Sequence, residues 1–61
     1  MKIDRNKLEL ARAKKMIRVS DIVKETGVNY STLAKDDISP IPLGKIARFL
    51  DVEVEELLKE E

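Results

Sequence analysis

The stretch Ile22-Val23-Lys24-Glu25-Thr26-Gly27-Val28-Asn29-Tyr30-Ser31-Thr32-Leu33 decides the fold of this 61-residue chain. Gly27 is the residue type that ends a helix in the left-handed conformation, and Val28 follows as the apolar plug of the turn. Asn29 is then a strong N-cap for a new helix. The spacing predicts a short helix over residues 19–26, with Ser20 able to cap it, and another from Tyr30 to Lys35 or Asp36. Leu33 is the one large apolar residue in the middle of the second helix, so most of that helix faces outward. Ile22, Val28 and Leu33 must meet where the two helices cross, which turns the opposite face of the second one away from the core.

On the N-terminal side, residues 4–16 read as a weakly amphipathic helix, with Leu8, Ala11 and Lys15 on one face and Ile3 before them. On the C-terminal side, Ser39 is placed to cap a helix that Pro40 starts, and Pro42 falls in the first turn, where a missing N–H costs little. Leu43, Ile46, Ala47 and Leu50 form the clearest core stripe of the chain. Val54, Leu57 and Leu58 supply a last apolar face over 54–59, with Glu53, Glu55 and Glu56 near its positive end. Five short helices in one domain over 1–61 are expected, and no run alternates long enough for a strand.

Composition narrows the function classes. There is no cysteine and no histidine, which removes disulfides and the usual zinc sites and leaves few groups for acid–base or nucleophilic work. No enzyme, cofactor or metal is expected. Asp36 and Asp37 alone, without a third ligand or a phosphate-cradling loop, do not make a magnesium site. No stretch approaches a membrane span and the first residues lack a signal-peptide core, so a cytoplasmic location is expected. The net charge is zero but unevenly spread: through Arg48 there are eleven basic residues against six acids, and from Phe49 onward one against six. A polyanion responds to local charge, so a basic body with an acidic tail suits nucleic acid.

The segment over 19–36 has the spacing of a helix-turn-helix, whose second helix is narrow enough for the DNA major groove. With Leu8 to Arg12, Leu43-Gly44-Lys45-Ile46-Ala47-Arg48-Phe49-Leu50 and Val52-Glu53-Val54-Glu55-Glu56-Leu57-Leu58, the chain resembles the Cro/phage-repressor (XRE-type) DNA-binding domain over about residues 5–58. The resemblance implies an all-α, compact five-helix bundle of the lambda-repressor-like type. It implies a transcriptional regulator, a repressor of a bacterium, phage or mobile element, that occupies an operator in double-stranded DNA. On it, Tyr30, Ser31 and Lys35 would meet base edges, while Asn29, Thr32, Arg18 and Lys14 or Lys15 would meet phosphates. A single module with few base readers binds weakly, so a homodimer at least on DNA is expected, with half-sites about 34 Å apart.

The chain departs from that family at three places. Arg18-Val19 stands where Thr-Gln is usual, Asp36-Asp37 where a large apolar residue and Glu are usual, and Asp51 where Gly is common. The resemblance also implies an ion pair between Arg12 and Asp37, tying the end of the third helix to the first. The residues leave bland roles open: Tyr30 as a ring lying over Ile17 or Val19, Lys35 as a solvated lysine, Phe49 as satellite core. The Asp36-Asp37 pair favours an alternative function, a protein-interaction module that binds another regulator through Phe49, Val54 and the exposed edge of the bundle.

Overall fold

Ile3 is completely buried, and both edges of the backbone around it are bonded. The computed structural model describes residues 1–60. On one side the Ile3 N–H donates to the Asp36 carbonyl (2.8 Å) and the Ile38 N–H to that of Met1 (2.9 Å). On the other the Asp4 N–H donates to Leu57 (2.8 Å) and the Lys59 N–H to Lys2 (3.0 Å). These contacts form two isolated antiparallel bridges, Lys2 with Asp37 and Ile3 with Leu58, and no strand extends from them among the described residues.

The helices follow from their caps. Helix α1 spans Arg5–Lys15, and the Asp4 carboxylate opens it by accepting from the N–H groups of Asn6 (2.9 Å) and Lys7 (3.2 Å). Met16 ends it in the left-handed conformation at φ 54°. Helix α2 spans Val19–Thr26. Ser20 does not cap it: Arg18 is the N-cap, and its N–H donates to the Asp21 carboxylate (3.0 Å), half of a capping box. Helix α3 is only Tyr30–Leu33, shorter than expected because the backbone beyond Ala34 turns away to pair with residues 1–3. Helix α4 spans Pro40–Leu50; Ser39 is its N-cap residue by position, although its hydroxyl makes no capping bond.

Among the described residues the regular elements are therefore all-α, four α-helices and a 3-10 turn over Val54–Leu57 in place of a fifth helix. The turn stops at Leu57 because Leu58 is extended and opposite Ile3. Leu43, Ile46, Ala47 and Leu50 are all buried and join Leu8, Ala11, Ile22, Val28, Leu33 and Leu57 in one core. Ile38, between Asp37 and Ser39, is buried as well, whereas Lys15 is exposed. Phe49, Val54 and Leu58 pack half-buried against that core.

Two stability changes follow. Ile3→Ala leaves a cavity at the centre of the bridged segment and should cost about 2–5 kcal/mol in denaturant unfolding. Met16 is 90% exposed, so Met16→Gly loses no packing and relieves a left-handed side chain, which should raise stability by about 1 kcal/mol in the same measurement.

Candidate nucleic-acid interface

The turn between α2 and α3 is built from local bonds. Gly27 takes φ 76° and its N–H donates to the Val23 carbonyl (3.0 Å); a Cβ there would meet nothing within 4 Å, so conformation alone demands the glycine. Thr26 bridges the bend, its hydroxyl donating to the Ile22 carbonyl (2.5 Å) and accepting from the Val28 N–H (3.2 Å). Ile22, Val28 and Leu33 are all buried.

This anchoring leaves the side chains of α3 outward. Tyr30 is 58% exposed, Ser31 and Lys35 are exposed, and Thr32 is half-buried. Tyr30 borders an open 180 Å³ hollow that it shares with Arg5, Leu8, Glu9, Val19, Ile22 and Leu33, while much of its ring remains in solvent. The Asn29 side-chain oxygen accepts from the Thr32 N–H (3.0 Å) and from the Ser31 hydroxyl (2.8 Å). With that oxygen committed, the Asn29 amide N–H groups are left to donate outward, and Ser31 is left with acceptor lone pairs. Lys35 lies beyond the helix, yet its carbonyl accepts from the Arg5 guanidinium (2.8 Å), which pins the backbone beneath an exposed ammonium.

Arg18, whose side chain is 82% exposed, stands at the start of α2 with its guanidinium 3.5 Å from the Asp21 carboxylate. The Arg18 N–H bond to that carboxylate lowers the Asp21 pKa; desolvation opposes it, and the charges of Arg18 and Lys24 add to the lowering. Arg18, Asn29, Tyr30, Ser31, Thr32 and Lys35 thus all belong to the segment that opens α2 or surrounds α3. Lys14 and Lys15 do not share that location. Lys14 is nine residues from Arg5, about 180° around α1 at 100° per residue, and borders a groove beside the 3-10 turn. Lys15 reaches the Asp51 carboxylate (3.6 Å), at the left-handed residue that ends α4.

The Arg12–Asp37 ion pair is not formed. Arg12 pairs with Glu9 one turn earlier on α1 and donates to the Ile17 carbonyl (3.0 Å), so it secures the α1–α2 connection. Asp37 binds the Met1 ammonium (2.7 Å), a partner carried by no side chain. That bond and the ammonium's charge hold the Asp37 carboxyl below its usual range, with Lys2 adding to the effect. The role assigned to the pair, fastening the end of α3 to the N-terminal part of the chain, falls instead to Arg5 and the bridged segment. Arg5 carries a recognisable signal, since Arg5, Glu9 and Arg12 share one face of α1 at helical spacing. Asp36 is exposed and forms no ion pair among the described residues.

Among the described residues no cluster of metal-ligating side chains occurs, and no helix is long and apolar enough to cross a membrane. No protein-family model, curated protein or solved structure matches the chain.

The Arg12→Met and Asp37→Asn changes should be additive in denaturant unfolding, with a coupling energy indistinguishable from zero. Asp37 has its pKa lowered by folding, so its contribution is complete above the unfolded value of about 3.9 and disappears as pH falls through the lower folded value. Asp37→Asn should therefore be less stable than the parent at neutral pH, and the gap should close in strong acid.

Proposed function

We propose that the chain is a sequence-specific double-stranded-DNA-binding regulator of the helix-turn-helix type, acting by occupying an operator rather than by catalysis. The observation that carries this reading is the exposure of Tyr30, Ser31 and Lys35 on a short element with Leu33 buried behind it. A reading surface has to be rigid as well as exposed, because phosphate contacts only position and base contacts specify. Gly27, the Asn29 cap and the Arg5 bond to Lys35 support that rigidity. In this role Arg18 and the Asn29 amide donate to phosphates and Thr32 assists with its hydroxyl. Ser31, presenting acceptors, suits a base-edge amine, and Lys35 suits the acceptors of guanine. The setting is the cytoplasm of a bacterium, or of one that carries a phage or mobile element, where the regulator works as a repressor and binds DNA as a homodimer.

The second reading, a protein-interaction module on the same scaffold, is favoured by one observation: Lys14 and Lys15 lie away from α3, while Asp36, without an ion-pair partner among the described residues, follows Lys35. The two separate on a column of random duplex DNA. A DNA binder is retained at low salt and released at high salt; a chain that flows through at both is the interaction module. Selection of bound sites from a random duplex pool then defines the operator.

On such a site Arg18→Ala should weaken binding alike on all sequences and reduce the slope of log K against log salt by about one unit. Lys35→Ala should cost about 1–3 kcal/mol on the preferred site and relax the preference at one position, read by titration of single-base variants. Equal losses on preferred and random duplexes would remove Lys35 from the base readers.

A further inference from the structure

A groove of 420 Å³ runs between α1 and the terminal 3-10 turn, with Lys7, Leu10 and Lys14 on one bank and Val52, Glu55 and Glu56 on the other. The first three lie on a single stripe of α1, at the i, i+3, i+7 spacing of one helix face. Leu10 is 63% exposed in the middle of that stripe, with a lysine on either side. Two of the charges are already engaged. Lys7 donates to the Leu58 carbonyl (2.9 Å) and lies 3.5 Å from the Glu60 carboxylate, while the Glu56 carboxylate accepts from the Glu53 N–H (2.7 Å). Lys14 and Glu55 face the same groove, yet the side chain of neither has an ion-pair partner among the described residues.

We propose that this groove receives a second copy of the chain, on a two-fold axis. Each bank is the chemical complement of the other, so a two-fold through the groove places Lys14 against the partner's Glu55, Glu55 against the partner's Lys14, and Leu10 against the partner's Val52. That reciprocity is the condition for a closed symmetric dimer. A net charge of zero adds no long-range repulsion between copies. Lys14 lies on the side of α1 opposite Arg5, which holds the end of α3, so docking here leaves Tyr30, Ser31 and Lys35 of both copies uncovered. A two-fold through that face turns the α3 elements of the two copies to opposite sides of the dimer, so this association is distinct from one that sets two half-sites on a single duplex. It goes beyond the DNA-binding reading and is tested without DNA, so that either can fail alone.

The experiment is sedimentation equilibrium of the full chain over a wide concentration range at low salt, with helical content checked by circular dichroism. The parent should approach the mass of two chains as concentration rises. Lys14→Glu and Glu55→Lys should each weaken self-association by at least about tenfold, through like charges placed opposite one another. An equimolar mixture of these two variants should dimerise again, because one then presents acid and the other base at both positions, and the double variant should recover in the same way. Leu10→Gln, at an exposed position, should weaken the dimer without loss of helix. A parent that stays monomeric at millimolar concentration overturns the proposal and leaves the groove to a different protein. A dimer indifferent to these changes overturns it too, as does a mixture that fails to recover.

Discussion

The structure depends on holding residues 2–4 between two other stretches of backbone. A chain this small buries only about 60% of the surface its unfolded form exposes, so few side chains are fully shielded and each matters. Ile3 is one of them, and the four backbone bonds flanking it join the chain after α3 to the chain after the 3-10 turn. α2 packs against α4, and α1 against α4 and the 3-10 turn, whereas α3 is too short to bury more than Leu33. The orientation of the exposed surface on α3 is therefore inherited from backbone bonds and from Arg5.

Charge is distributed in keeping with that architecture. The side of α1 bearing Arg5 and Arg12 is occupied internally, by the Lys35 and Ile17 carbonyls and by Glu9. The opposite side bears Lys14 and meets the acidic end of the chain. A molecule with no net charge thus carries two separate fields, one around α3 and Arg18, the other at the α1 groove. At physiological salt the screening length is about 8 Å, so surfaces on opposite sides of a helix act almost independently.

Much of the fold is legible in the residues, for reasons that can be named. The Leu43-Ile46-Ala47-Leu50 stripe, Gly27 and the Asn29 cap are strong because period, left-handed geometry and capping are local properties. Ile38 is invisible for the complementary reason: a single buried residue between Asp37 and Ser39 has no period. The early ends of α3 and of the last turn are non-local, since both backbones leave helical geometry to pair with residues 1–3. At the candidate site the exposure of Tyr30, Ser31 and Lys35 follows from having Leu33 alone as anchor. The Arg12–Asp37 pair illustrates a different limit. Opposite signs at suitable positions do not choose partners when Glu9 lies one helical turn away and the competing cation is the chain's own amino group.

The double bridging of Ile3 also sets an order of events during folding. Contacts between residues 2–4 and 57–59 span almost the whole described chain and are the slowest kind to close. The packing of α2 on α4 is more local and closes over a shorter stretch of chain. The two helices can therefore associate while the N-terminal segment is still without its second partner. The bridge to Leu58 closes after them, so the fixed pose of α3 is completed last.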